Sequence, residues 1–101
     1  MSLTDFMAGQ RRLVILAALA EAPDFALNDG SLRLALRAVA FGVTGDVLRG
    51  ELFWLSEQGL VRIEKTALPG QEEMWIAHLT AKGQEVAEGA PYPGIARPRA
   101  H

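Results

Sequence analysis

Hydrophobic residues recur every three to four positions through the first half of the chain, and this spacing predicts three helices. The first is expected over residues 4–22, and the second follows a turn at residues 28–31 and reaches Val39. The third is expected to run from an N-cap at Thr44 to Gly59, because glycine accepts the left-handed conformation with which many helices end.

The second half of the first predicted helix is apolar almost all round, which a surface helix does not require. A partner is therefore expected to cover part of it, and a second copy of the chain is the natural candidate. The residues expected in that interface are Val14, Ile15 and Leu19. The alternative is that the end of the same chain lies over this helix.

Beyond Leu60 the period of the pattern changes to two residues, which predicts strands. Apolar and polar residues alternate over residues 61–64. Over residues 74–79 the inward set is expected to be Trp75, Ala77 and Leu79, which alternate with Met74, Ile76 and His78. Pro69 and Gly70 lie between the two segments and are typical of a tight turn. The two segments are therefore expected to pair as a two-stranded hairpin.

The last quarter of the chain predicts a short helix and a tail. Thr80 is the expected N-cap, and helical spacing continues to Ala87. Gly89 and the three prolines that follow it are typical of an extended, flexible segment. We therefore expect one domain over residues 1–89 and a flexible, proline-containing tail over residues 90–101.

Composition agrees with a single domain that has its own core. The chain has 101 residues, of which 50% are hydrophobic, and it contains no cysteine. The absence of cysteine excludes disulfide frameworks and thiolate zinc sites. The longest apolar run, residues 13–20, is far shorter than the roughly 20 residues that cross a bilayer. The N-terminus does not resemble a signal peptide, so a cytoplasmic protein without membrane contact is expected.

The polar residues do not indicate an enzyme or a metal protein. His78 and His101 have no accompanying cysteine or acidic cluster in the sequence, so we expect no metal site. Glu72 and Glu73 are adjacent on a predicted strand and would point to opposite faces. The glycines are scattered and do not form a phosphate-binding loop. We therefore expect no catalysis, no cofactor and no metal.

Two motifs carry a resemblance to a known family. The first is L-x-x-L-x-x-x-G-L-V at residues 52–61, and the second is L-T-x-x-G at residues 79–83. With the order of the predicted elements, they resemble the winged helix-turn-helix of transcription regulators of the MarR and ArsR kind. Chain size and segment order also resemble the small winged-helix proteins of Mu-like phages. The resemblance implies an α+β fold: a three-helix core, a two-stranded β-wing and a short C-terminal helix.

The family resemblance also implies a function, which is double-stranded DNA binding by a homodimeric transcription regulator. The third helix would enter the major groove and the wing would reach a neighbouring groove. The implied or candidate nucleic-acid contacts are Thr44, Arg49, Gly50, Arg62, Lys65 and, on the second helix, Arg37. The plainer alternatives are that Thr44 is only a helix cap and that Arg49 forms an ordinary surface ion pair.

Charge favours a different class of function, in which the fold binds a protein and not DNA. The formal net charge is −2, whereas phosphate binding favours a basic excess. Asp46 would also place a negative charge where DNA approaches. Phe53 and Trp54 lie outside the leucine stripe of the third helix, and aromatic residues dominate binding hot spots. They are the expected anchors for a protein partner, unless residues 91–93 of the tail cover Trp54.

Overall fold

The computed structural model describes residues 2–98 and contains four helices and three strands in this range. In chain order they are α1 (Leu3–Glu21), β1 (Ala26–Asn28), α2 (Asp29–Ala38), α3 (Gly45–Glu57), β2 (Val61–Thr66), β3 (Met74–Leu79) and α4 (Ala81–Ala87), with a short 3₁₀ turn at Pro23–Phe25. The predicted α+β class and the predicted order of three helices, hairpin and last helix are confirmed.

Each of the four helices begins at a polar cap. The caps are Ser2, Asn28, Thr44 and Thr80. Each cap's side-chain oxygen accepts a hydrogen bond from the backbone N–H three residues later, at 2.8–3.2 Å. Such caps satisfy N–H groups that have no partner inside the helix. The predicted caps at Thr44 and Thr80 are confirmed, and Gly59 has the expected left-handed φ of 75° after α3.

The sheet has three strands and not the two that the sequence pattern predicts. Its order is β1-β3-β2, and both neighbouring pairs are antiparallel. Ala26 lies opposite His78, and Leu27 lies opposite Ala77, which is fully buried. A three-residue strand is too short to produce a recognisable alternation, which explains why the pattern does not predict β1.

The core lies between the helices and the inner face of the sheet. Its fully buried leucines are Leu16, Leu19, Leu32, Leu36, Leu48, Leu52, Leu55 and Leu60. Helix α1 packs against α2, α3, α4 and β3. Ile15 and Leu19 are therefore 1% and 0% exposed, and their prediction as interface residues is wrong. Val14 is half-buried against the same core. The second half of α1 is apolar almost all round because it packs against several elements of its own chain.

The two sequence motifs meet in space. The Thr80 hydroxyl donates to the carbonyl oxygen of Gly59 at 2.7 Å, and the Thr80 N–H donates to Leu60 at 3.1 Å. Gly83 lies so close to the Leu60 carbonyl oxygen that a Cβ atom would overlap with it. The first turn of α4 thus covers the junction between α3 and β2, and this contact requires glycine at position 83.

Residues 90–98 pack onto the domain, which corrects the predicted boundary at residue 89. Ile95 is buried, and the Ala96 N–H donates to the Gly9 carbonyl oxygen at 3.1 Å. A Cβ on Gly9 would lie 3.3 Å from the Ala96 nitrogen, so glycine permits this approach. Tyr92 donates to the Gln58 side chain at 2.7 Å. Residues 99–101, the rest of the predicted tail, lie outside the described residues.

Candidate functional site: the α3 and wing surface

The outward row of α3 consists of Asp46, Gly50, Phe53 and Glu57, which are all exposed. Their spacing of four, three and four residues places them on one side of the helix, away from the buried leucines. Phe53 is 57% exposed, and no atom lies within 4 Å of the place where a Cβ would stand on Gly50. This row therefore offers two carboxylates, an aromatic ring and a gap, with no basic side chain.

Arg49, the one basic residue of α3, is held by α2 and by the wing. Its guanidinium donates to the Asp29 carboxylate at 2.8 and 3.0 Å and to the Glu73 carbonyl oxygen at 2.6 Å. It also lies over the Trp75 ring, 4.9 Å from the centroid. Arg49 thus forms an ordinary ion pair, which was the alternative to its role in DNA binding. Its partner is Asp29 of α2 and not Asp46. The pair compensates the charge that was expected to contact DNA.

An open cleft of about 940 Å³ lies between the N-termini of α2 and α3 and the tip of the wing. Its charged lining residues are Asp29, Arg33, Asp46, Arg49, Glu72 and Glu73. The cleft is thus lined by four carboxylates and two guanidinium groups, which give it a formal net charge of −2. Arg33 lies beside the start of α3, since its Nη1 atom is 4.0 Å from the Cβ position of Gly45. The wing tip contributes carboxylates to this cleft and no basic residue.

The other basic residues among the predicted DNA contacts lie on two elements, α2 and β2. Arg37 is exposed on α2, one turn beyond Arg33. Arg62 is exposed on β2, opposite His78, and Lys65 lies with its ammonium group 4.5 Å from the centroid of Trp75. Within residues 2–98, neither Arg37 nor Arg62 forms an ion pair. These two arginines are available to an anionic ligand, whereas Lys65 rests on an aromatic ring.

Trp54 is covered, and its prediction as an exposed interface anchor is wrong. The Arg12 guanidinium lies 3.9 Å from the centroid of its ring on one side. Gly94 of the tail approaches so closely that a Cβ there would be 3.0 Å from the ring. The alternative that the tail covers Trp54 is therefore correct, with Gly94 as a contacting residue.

Glu51 is the one buried charged residue among those described, at 7% exposure, and it joins α1 to α3. Its two carboxylate oxygens bind Arg11 at 2.9 Å and Arg12 at 3.1 Å. The charges of Arg11 and Arg12 are therefore compensated within the domain. A signal for this was present, because Glu51 lies three residues after Leu48 and four before Leu55, on the buried side of α3.

The described residues contain neither a metal-binding cluster nor a membrane-spanning helix. Within residues 2–98, no three His, Asp or Glu side chains are grouped so that they could hold a metal ion. Among the described helices, none combines the length and the apolar character that a membrane crossing requires.

Comparison with known proteins gives the chain a relative of nearly equal length. It is 41% identical over 98 residues to the uncharacterized protein gp26 of Escherichia phage Mu, and the match covers 96% of each chain. The chain belongs to the gp26 family. The predicted resemblance to proteins of Mu-like phages is thereby confirmed for a relative encoded by Mu itself. No family model matches the sequence.

The fold of this chain is similar to that of Bacillus subtilis PadR, whose crystal structure was solved in complex with operator DNA. The TM-score is 0.63 and the two sequences are 16% identical. The match covers 86% of this chain and 52% of the PadR chain, so the chain spans about half of PadR. The winged-helix fold is confirmed, and at this identity the likeness concerns the fold alone. Which ligand this gp26-family surface accepts depends on its own side chains.

Proposed function

We propose that this gp26-family protein is a winged-helix module that binds a protein partner through the outward row of α3. The observation that carries the proposal is the chemistry of that row. Asp46 and Glu57 lie at its ends, Phe53 is 57% exposed, and the row has no basic side chain.

A DNA duplex is a poor ligand for such a row. Duplex binding depends on Lys and Arg side chains that neutralise phosphates, and base reading favours donors such as arginine. Here the single arginine of α3 is bound to Asp29, and Asp46 and Glu57 would approach a polyanion. Glu72 and Glu73 at the wing tip add the same unfavourable charge.

A protein partner with basic and apolar side chains fits the same row. Phe53 provides an aromatic anchor of the kind that dominates binding hot spots. Gly50 leaves a gap beside it into which a partner's backbone or side chain can pack. Asp46 and Glu57 at the two ends favour Lys or Arg on the partner and contribute mainly to specificity and association rate.

The test uses a displayed library of short random peptides, selected on the immobilised full chain. We expect peptides that combine basic and apolar residues, with affinity lowered by about tenfold or more in Phe53→Asp, equivalent to about 1.4 kcal/mol. Leu34→Asp is the matched control, because Leu34 is an apolar residue of α2 that is 63% exposed. The proposal fails if no selected peptide distinguishes Phe53→Asp from the control while both variants remain folded by circular dichroism.

The second candidate is the double-stranded-DNA-binding regulator that acts as a homodimer. It is favoured by Arg33 and Arg37, which are exposed on α2, and by the position of Arg33 beside the N-terminus of α3. Helix N-termini favour phosphate groups. PadR, whose fold is similar, is described in complex with operator DNA. In this candidate Thr44, Gly50, Arg62 and Lys65 remain proposed contacts.

A random duplex pool titrated over a salt series tests this candidate. Phosphate binding through α2 predicts affinity that falls steeply with salt, and Arg37→Ala should reduce the salt dependence by about one phosphate contact. Salt-dependent binding that is weakened by Arg37→Ala, while the variant remains folded, would establish DNA as the ligand. Absence of duplex binding at low salt would exclude it.

A further inference from the structure

We infer that a second copy of this chain docks on the groove between the first two turns of α1 and the tail. This α1–tail groove has a volume of about 570 Å³, and Asp5, Phe6, Gly9, Ile95, Ala96 and Arg97 are among its lining residues. It differs from the α3 row in residues and in charge, so the inference does not depend on the proposed function.

The first two turns of α1 present apolar side chains that the described part of the chain does not cover. Leu3 is 75% exposed, Phe6 49% and Met7 38%. Their spacing of three and four residues places them on one face of the helix. The remainder of α1 packs into the core, so this face is an apolar extension at one end of an otherwise covered helix.

The groove is a recess beside this apolar face. Its floor is formed where the tail crosses α1, with the Ala96 N–H bonded to the Gly9 carbonyl oxygen at 3.1 Å. Glycine and alanine fill little space there, and Ile95, which also lines the groove, is buried. Phe6 lines the same groove and is 49% exposed. One surface thus carries both a half-exposed aromatic ring and a recess.

Charge complementarity selects a second copy as the occupant. A two-fold interface places one patch against itself, so the patch must contain both members of every matching pair. This groove contains the carboxylate of Asp5 and the guanidinium of Arg97, and neither forms an ion pair within residues 2–98. Under a two-fold axis, Asp5 of each subunit can meet Arg97 of the other while Phe6 enters the opposite recess.

This surface replaces the one that the sequence pattern suggests for dimerisation. Ile15 and Leu19 lie inside the domain, whereas Leu3 and Phe6 of the same helix are exposed. The dimer is therefore expected to use the beginning of α1 and not its second half.

The first experiment is sedimentation equilibrium of the full chain over a range of concentrations. We expect a monomer–dimer equilibrium whose dissociation constant rises by about tenfold or more in Phe6→Glu, equivalent to about 1.4 kcal/mol. Leu34→Glu, which places the same charge on an exposed apolar position of α2, should leave the equilibrium unchanged. A wild-type chain that stays monomeric at its highest soluble concentration overturns the inference, as does a dimer that Phe6→Glu leaves intact.

A charge exchange then tests the two-fold pairing. Asp5→Arg and Arg97→Asp should each weaken the dimer, and the two changes in one chain should restore it, because the ion pair is re-formed with reversed polarity. An effect on helix stability alone would not produce this rescue, and circular dichroism of each variant checks the fold. A double variant no tighter than the weaker single variant would overturn the proposed arrangement.

Discussion

Two arginines hold two tryptophans in nearly the same way on different sides of α3, but the two sites differ in exposure. In the first, the Arg12 site, the guanidinium bonds Glu51 at 3.1 Å and the Gly94 carbonyl oxygen at 3.0 Å. It lies 3.9 Å from the centroid of Trp54. This set of contacts joins α1, α3 and the tail.

The second, the Arg49 site, repeats the pattern with other elements. Arg49 bonds Asp29 at 2.8 Å and the Glu73 carbonyl oxygen at 2.6 Å, and it lies 4.9 Å from the centroid of Trp75. This set joins α2, α3 and the wing. Each site therefore combines a carboxylate, a backbone carbonyl and an indole face around one guanidinium group.

Exposure separates the two sites. In the Arg12 site the side chains of arginine and glutamate are 17% and 8% exposed. In the Arg49 site the arginine and aspartate are 33% and 20% exposed. Removing one partner of a buried pair leaves an uncompensated charge away from water, whereas a partly exposed charge is rehydrated. The Arg12 site is therefore a structural joint that is shielded from water, whereas the Arg49 pair is only partly shielded and lies at an open cleft.

The largest expected effect follows from breaking the Arg12 site at its carboxylate. Glu51→Ala leaves Arg11 and Arg12 without their shared partner, and we expect the free energy of unfolding to fall by about 3 kcal/mol. Urea denaturation measures the change. Glu57→Ala is the control on the same helix, with an expected change of within about 0.5 kcal/mol because Glu57 is exposed. Equal effects of the two changes would contradict the structural role of Glu51.

Replacement of the two tryptophans should also destabilise the protein more at the Arg12 site than at the Arg49 site. Trp54→Ala removes the ring between Arg12 and Gly94, and we expect a loss of about 2 kcal/mol, less than for a fully buried tryptophan. Limited proteolysis should then cleave residues 90–98 faster, because the tail loses its contact on α3. Trp75→Ala should cost about 1 kcal/mol and leave tail cleavage unchanged. Faster tail cleavage in both variants would show that the tail responds to general loss of stability.

The smallest expected effect concerns the coupling between each arginine and its carboxylate. A double-mutant cycle of Arg12→Ala and Glu51→Ala should give a coupling energy of about 2 kcal/mol. The cycle of Arg49→Ala and Asp29→Ala should give about 0.5 kcal/mol and decrease with added salt. Thermal or urea unfolding of the six variants and the wild type provides both values. Similar coupling energies would mean that exposure does not distinguish the sites.

The order of the elements follows from local features of the sequence. Thr44 and Thr80 cap helices because their side chains bond backbone groups three residues away, and Gly59 ends α3 because it adopts a positive φ. Strand β1 is the exception, since its three residues gain their extended form by pairing with β3. Element types were therefore predictable wherever the stabilising contacts are close in sequence.

The candidate site depended on contacts between distant segments. The outward position of Phe53 follows from helical spacing, and it was predicted. The cover over Trp54 was only an alternative to its exposure, and the contact with Arg12 was not predicted, because Arg12 and Gly94 come from opposite ends of the chain, 82 residues apart. Asp29, which compensates Arg49, is 20 residues away from it on another helix.

The sequence by itself determined the order of the helices and the hairpin, the caps at Thr44 and Thr80 and the leucine stripe of α3, because periodicity and capping act over a few residues. Its two motifs added the resemblance to winged-helix proteins. Only the tertiary structure decided which charges are compensated and which aromatic rings are covered, because those depend on side chains that meet across the fold. For this protein that second group of facts changes the proposed ligand of α3 from a nucleic acid to a protein, although the fold is as predicted apart from strand β1 and the packed tail.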